Sequence, residues 1–325
     1  MEKVILFGIG KNYKDWSKKL HQMYEIVALV DNAPSMQGVF LPKELLKIQY
    51  DKILIIAGLP KVEICKQCME LGVPFEKIEF VFMGKYKNLV IPKKFLIDNH
   101  IVLEYYGIKM IMDNGQEFCA INEAIIGKNY ELGLGNDNYC VIDIGANVGD
   151  TALYFASLKE VNTVYAYEPF RSSFDKALKN AELNPSLSNK IQLFNIGISD
   201  ENAELLVNTP EDTFGVSIND VQKGQDKIII KEASELLGPI INTHLGKQKI
   251  LLKLDCEGSE YDIIENLDKS GLLSKIDVII GEWHFIGKRN NGNTEINLHE
   301  LQESLTRNNF LFRVTYEQMF CAFRK

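Results

Sequence analysis

Apolar positions fall into short runs separated by segments of helical period. "KVILFGI" (residues 3–9), "EIVALVD" ending at Asp31, "DKILIIAG" and "IEFVFMG" read as buried strands. Between them the pattern predicts a helix around Tyr13–Met23 and a short one in "LPKELLKI". A third helix, "KVEICKQCMELG", takes Gly72 as its C-cap. Strands alternating with helices imply a parallel sheet with right-handed crossovers. Residues 1–85 therefore read as a small Rossmann-like α/β lobe.

Residues 86–135 have a different texture and read as a bridge. "IVLEYYGIKMIMDNGQEF" predicts an antiparallel hairpin leading to a loop at Asn114–Gly115, and "AINEAIIGKNYEL" predicts a helix. Over residues 136–325 the alternation restarts. "CVIDIG", "TVYAYEP", "IQLFNIGIS", "AELLVN", "ILLKLDCEGS" and "KIDVIIGEWHF" are predicted strands. "DTALYFASLK", "SSFDKALKNAELN", "EYDIIENLDKSGLL" and "LHELQESLTRNN" are predicted helices, and "FLFRVT" and "MFCAFRK" a closing antiparallel pair. No internal repeat or low-complexity segment interrupts this plan.

Composition narrows the function. The 325 residues exceed one ordinary core, 46% of them are hydrophobic and 25% charged, and the net charge is −8. An acidic chain is a poor match for a phosphate backbone, so no nucleic-acid partner is expected. No apolar run reaches the roughly 18 residues of a membrane span. The opening "MEKVILFGIGKNYKDW" enters a strand at once and does not read as a signal peptide. The six cysteines lie in apolar or helical surroundings, consistent with a reduced cytoplasm. Cys65 and Cys68 of "CKQC" have the spacing of half a zinc site or of a redox pair. No second Cys or His pair stands at a matching distance, and an amphipathic helix explains them as structural thiols.

The stretch "VIDIGANVGDT" carries more chemistry. A strand ends in Asp143, and small or turn-forming residues follow at every second position: Gly145, Asn147 and Gly149. Such a turn lies at the carboxyl end of a parallel strand, where ligands bind, and lets a ligand approach backbone N–H groups. The next strand ends at Glu168 of "YEP", a place to grip both hydroxyls of a ribose. A dinucleotide would want G-x-G-x-x-G; D-x-G-x-N-x-G departs from it. An acidic rim without a phosphate cradle suits S-adenosylmethionine, which is cationic and has no phosphate. Asp150, opening the next helix, reads equally well as a capping carboxylate.

"KILLKLDCEGSEYDII" repeats the theme. Lys253 and Asp255 share a side of their strand, and a lysine in an apolar strand needs a carboxylate, with Asp255 or Glu282 the natural candidates. Glu257 and Gly258 occupy the turn, while Ser259 and Glu260 read as helix caps. One strand on, "IIGEWHF" sets Glu282 and His284 on one face at a strand end.

Together, "VIDIGANVGDT", "YAYEPFRSSFDKALKNAELN", "NIGISD" and "LLKLDCEGSEYDIIENL" resemble the FkbM-type family of class I S-adenosylmethionine-dependent methyltransferases, over about residues 105–325. The resemblance implies a Rossmann-like methyltransferase fold: a mostly parallel seven-stranded sheet with one antiparallel strand. It implies S-adenosyl-L-methionine as cofactor, with Asp143, Gly145, Asn147 and Gly149 along its methionine part and Glu168, followed by Pro169, at its ribose. It also implies a carbohydrate, nucleotide sugar or glycan precursor as acceptor. Catalysis would fall to Asp255, Glu257, His284, Glu282 and Lys253, with Asp255, Glu257 or His284 as the base. Two carboxylates and a histidine could instead hold a divalent ion; the metal-free reading is preferred. In the first lobe, Gly8 and Gly10 with Asp31 form a broken dinucleotide fingerprint, Tyr13 standing where its third glycine would. A nucleotide site there competes with a spacer or a homo-oligomer surface. Two other readings of the whole chain are an NAD(P)-dependent oxidoreductase or epimerase, which lacks a suitably placed Tyr-x-x-x-Lys, and a degenerate fold serving as an assembly partner.

Overall fold

The computed structural model describes every residue except 35, 210–214, 218–221, 285–293 and 317. Phe285, the last residue of the predicted strand "IIGEWHF", therefore lies outside the described residues. The chain divides into two compact units, Met1–Lys128 and Asn129–Lys325.

The first unit opens with β1 (Lys3–Phe7), α1 (Lys11–Met23), β2 (Glu25–Val30), β3 (Val39–Phe40), a 3₁₀ turn at Pro42–Lys47, β4 (Lys52–Ile55), α2 (Lys61–Glu70) and β5 (Ile78–Phe80). The five strands form an all-parallel sheet in the order β3-β2-β1-β4-β5. Val4, Leu6, Leu20 and Leu54 lie in one of its cores. Gly72 ends α2 at φ +89, a left-handed position that suits glycine. Cys65 and Cys68 are buried free thiols on α2, and burial pushes both up to about 12. The predicted single strand "IEFVFMG" is interrupted: β6 (Phe82–Met83) leaves the sheet to pair with β7 (Leu89–Val90).

Residues 86–128 belong to this unit as well. A three-stranded antiparallel sheet joins β8 (Lys93–Ile97), β9 (His100–Tyr105) and β10 (Ile108–Ile111). Gly115 starts α3 (Gly115–Ala120) rather than sitting in a loop, and a π-helical turn over Ile121–Ile126 continues it. The predicted helix "AINEAIIGKNYEL" thus ends before Gly127.

The second unit is built on seven strands: β11 (Tyr139–Ile144), β12 (Val161–Tyr167), β13 (Ile191–Phe194), β17 (Lys249–Leu254), β18 (Val278–Glu282), β19 (Phe310–Tyr316) and β20 (Met319–Arg324). Their order is β13-β12-β11-β17-β18-β20-β19, and β20 alone runs antiparallel to its neighbours. This is the class I methyltransferase arrangement. Helices α4 (Asp150–Ser157), α5 (Arg171–Glu182), α6 (Pro185–Ser188), α7 (Ala233–His244), α8 (Glu260–Lys269) and α9 (Thr294–Arg307) connect the strands. A small sheet of β14 (Gly197–Ser199), β15 (Ala203–Val207) and β16 (Asp226–Glu232) lies beside them in sequence, so "IQLFNIGIS" serves two sheets. β11 is buried at every position and β17 at all but its first, as a central parallel strand must be. Between β11 and β17 the strand order changes direction, which is where an open α/β sheet leaves a crevice for ligands. No described helix is long and apolar enough to cross a membrane.

Candidate active site

The β11–α4 turn explains its own spacing. Gly145, Asn147 and Gly149 all take left-handed backbone, at φ +79, +46 and +82. Glycine and asparagine are the residues that reach this region at least cost. At Gly145 a methyl group would stand 1.7 Å from the carbonyl oxygen of Asp255, so the two strand tips touch there. The N–H groups of Gly145 and Ala146 both reach the Tyr167 carbonyl at 3.0 Å.

Glu168 closes this turn. It is 5% exposed; Oε2 accepts the Asn147 N–H at 2.9 Å and Oε1 the Phe170 N–H at 3.0 Å. Burial pushes its carboxyl up to about 7, against the pull of those two N–H groups. The Asn195 amide donates to the carbonyls of Glu168 and Pro169, both at 2.9 Å, and so fixes the Glu168–Pro169 turn. Asp150, the first residue of α4, is buried, and its carboxyl is likewise pushed up to about 7 by burial.

Asp143 and Lys253 are direct partners in the β11–β17 register. Their side chains are 0% and 1% exposed and pair at 3.1 Å. Burial disfavours the lysine's charge, but Asp143, Asp255 and Asp150 more than offset it and hold its pKa above the usual value. Asp255 stands farther off, at 3.8 Å. The predicted partners were Asp255 or Glu282; the cross-strand neighbour wins because adjacent strands lie closer than residues two apart on one strand. Lys253 also donates to the Gly145 carbonyl at 2.6 Å, and Thr151 donates to Asp143 Oδ2 at 2.7 Å. Asp143 is therefore enclosed by protein partners.

Past the tip of β17, Asp255 Oδ2 accepts the Tyr130 hydroxyl at 2.5 Å, and the Tyr130 ring lies 5.6 Å from the Lys253 ammonium. Glu257 follows at φ +53. His284 Nε2 lies 3.3 Å from Glu257, 3.8 Å from Asp255 and 3.9 Å from Glu282; its Nδ1 lies 2.9 Å from Glu260. Asp255, Glu257 and Glu282 keep 24%, 29% and 30% of their side chains exposed, so this end of the cluster meets solvent. Burial pulls the imidazole down, but the hydrogen bond and charge of Glu260, with Glu257 and Asp255, lift it to about 10. His284 is thus an imidazolium at neutral pH. Burial lifts the Glu257 carboxyl to about 7 and raises that of Glu282. The ligating atoms of Asp255, Glu257 and His284 lie within 4.8 Å of one another, a spacing a divalent ion would accept.

The predicted residues thus form two neighbouring groups: Gly145, Asn147, Gly149, Glu168 and Pro169 at the tips of β11 and β12, and Asp255, Glu257, Glu282 and His284 at those of β17 and β18. Asp143 and Lys253 join them below. Tyr130, Thr151 and Asn195 were missed, and Glu260 was read only as a cap. Thr151 and Asn195 close "VIDIGANVGDT" and open "NIGISD" without a role having been read for them, and Tyr130 lies in none of the quoted motifs.

Residues 143–312 match the family model described as methyltransferase FkbM domain, and residues 1–79 match one described as C2185-like, N-terminal. The chain belongs to the FkbM methyltransferase family. "Methyltransferase 1" of Beauveria bassiana (strain ARSEF 2860) is 27% identical over 167 residues. That match spans 45% of this chain and 65% of the fungal protein. A crystal structure of an FkbM methyltransferase from Methylobacillus flagellatus KT aligns with TM-score 0.40 and 12% identity, covering 99% of this chain and 90% of that one. The fibrillarin pre-rRNA processing protein of Methanococcus jannaschii aligns with TM-score 0.40 and 12% identity, over 73% and 90%. In this FkbM methyltransferase the family match begins at Asp143, the residue that joins the two groups.

Proposed function

We propose that this methyltransferase uses S-adenosylmethionine to methylate a hydroxyl of a carbohydrate, nucleotide sugar or other glycan precursor. The donor set at the tips of β11 and β12 fits that cofactor. It offers carboxylates and backbone, and the nearby Lys253 is already neutralised and turned to carbonyl oxygens. Such a lining favours a ligand with a sulfonium and an ammonium over one with a pyrophosphate. Glu168 would hold the ribose hydroxyls, with Pro169 beside it, and the Gly145–Gly149 turn would take the methionine part. When bound, the cofactor supplies a methyl group on a sulfonium, a good leaving group.

What remains for the protein is to orient the acceptor and take its proton. Glu257 is the base in this reading. The observation that carries it is geometric: a partly exposed carboxyl set 3.3 Å from the His284 ring, and burial pushes that carboxyl up to about 7. A base poised near the working pH is the efficient choice. Asp255 is engaged by Tyr130 and Lys253 and orients the acceptor with Glu282. His284 carries a proton at neutral pH and donates. The exposed carboxylates offer several hydrogen-bond acceptors to a polyol, and the family resemblance supplies the sugar.

The test pairs calorimetry with a mass-spectrometric screen for gain of one CH₂ on nucleotide sugars and glycans. Glu168→Ala should weaken S-adenosylhomocysteine binding by roughly 10- to 100-fold. Glu257→Gln should cut kcat by about 10²-fold or more while leaving that affinity intact. Turnover should rise with pH through about 7, as Glu257 loses its proton. Absence of cofactor binding, or full turnover by Glu257→Gln, would overturn the assignment.

A further inference from the structure

Glu260 does more than cap a helix. It is fully enclosed at the first position of α8. Oε1 accepts the Cys256 N–H at 2.8 Å and Oε2 the Gly258 N–H at 2.9 Å. These two amides bracket Glu257 and hold the turn in which it takes its left-handed φ. A cap needs no more than that, and a small neutral side chain can supply it. Yet the same Oε1 also meets His284 Nδ1 at 2.9 Å, and the next residue, Tyr261, donates its hydroxyl to the His284 carbonyl at 3.0 Å. Two consecutive residues of α8 therefore grip the histidine by ring and by backbone. With Nδ1 engaged, Nε2 is left facing Glu257.

We infer that Glu260 is a positioning residue for methyl transfer: it anchors the turn carrying Glu257 and holds His284 so that its Nε2–H meets that carboxylate. This rests on reading Glu257 as the base. The charged groups around the imidazole come from every described element beside it: Glu260 from α8, Asp255 and Glu257 from the β17–α8 turn, Glu282 from β18, and Lys253 behind Asp255. The Cys256 thiol beside Glu260 stays neutral, its pKa raised by burial and then by Glu260. Without Glu260 the imidazole loses its nearest carboxylate, and its proton becomes easier to remove. The imidazolium in turn holds the Glu257 carboxyl below where burial alone would put it. The Glu260 charge itself pushes that carboxyl up, so loss of Glu260 lowers the pH at which Glu257 becomes a base, whereas loss of the imidazolium raises it.

The test needs no acceptor for its first arm. Histidine ring titration by NMR on the full chain should place His284 near 10, its signal identified by loss in His284→Gln. In Glu260→Gln it should fall by roughly one unit or more. Once an acceptor is in hand, the limb of the kcat profile near 7 should move downward in Glu260→Gln. It should move upward in His284→Gln, which keeps both amide contacts of Glu260 and so guards against a folding defect. Binding of S-adenosylhomocysteine should stay within about twofold in both. An unmoved His284 titration in Glu260→Gln overturns the inference, whatever the acceptor screen finds. So does a kcat loss with the limb unmoved, the signature of a merely structural cap.

Discussion

Gly145 shows how a single hydrogen atom in place of a methyl group brings two strand tips together. Its φ of +79 costs an L-residue about 1–2 kcal/mol, and its missing Cβ would stand 1.7 Å from the Asp255 carbonyl oxygen. Backbone cannot yield as a side chain can. Gly145→Ala should therefore lose about 3 kcal/mol or more in urea unfolding, and displace the turn bearing Asp255 and Glu257. Gly149→Ala makes the useful contrast. It shares the left-handed backbone, but its Cβ would stand 3.1 Å from Ala177 Cβ and 3.3 Å from Ala177 Cα, a far looser approach, so its loss should be smaller. Equal losses would show that φ, not the approach of the two turns, decides. The spacing of small residues was legible from the chain, and so was Glu168 at a strand end. The reason for Gly145 was not, because its neighbour is Asp255, and no local pattern records that approach. Tyr130 was invisible for the same reason: it meets Asp255 only through the fold.

At the level of elements, Lys253 ties β17 to β11. Its ammonium bonds the Gly145 carbonyl as well as Asp143, so one side chain fastens a neighbouring strand and the turn that follows it. Lys253→Met leaves Asp143 buried without a cation. That should cost about 3–5 kcal/mol by urea denaturation, part of it recovered in Lys253→Met/Asp143→Asn. Additive losses in the double variant would show that the pair does not act as a unit. Strand alternation was readable because buried parallel strands are continuous apolar runs. Breaks within runs were not. Asn195 sits in "IQLFNIGIS" and looks like a strand residue, but its amide serves the carbonyls of Glu168 and Pro169, and the strand stops there. The first unit uses the Glu168 construction too. Asp31 Oδ2 accepts the Ile9 N–H at 2.6 Å and Oδ1 the Ala33 N–H at 2.9 Å. The Ile9 contact ties Asp31, the acidic end of the partial dinucleotide fingerprint, to its Gly8–Gly10 turn.

Across the whole molecule, the two units should respond to alkali in opposite senses. Lys61 in the first unit is fully buried. It bonds the Ala57 carbonyl and lies 4.9 Å from the Phe118 ring and 5.6 Å from that of Phe82. Burial lowers its pKa from 10.5 to about 7. Above pH 7 the folded chain holds no proton there while the unfolded chain still does, so stability rises with pH up to the unfolded value. Between pH 7 and 8.5 that gain should be about 1.5 kcal/mol. His284 in the second unit has the reverse balance. Its folded pKa of about 10 exceeds its usual 6.5, so its contribution is complete below 6.5 and fades as pH rises toward 10. Calorimetric scans of the full chain at pH 7 and 8.5 should accordingly show one transition strengthened and one weakened. Lys61→Met should remove the rising response and raise the neutral-pH transition of the first unit, because it takes away a buried amine that has no carboxylate partner among the described residues. His284→Gln should remove the falling response and leave the other in place. If Lys61→Met left both responses as they were, the lysine would be charged in the fold at neutral pH, and its aromatic surroundings would be stabilising the ammonium rather than expelling its proton.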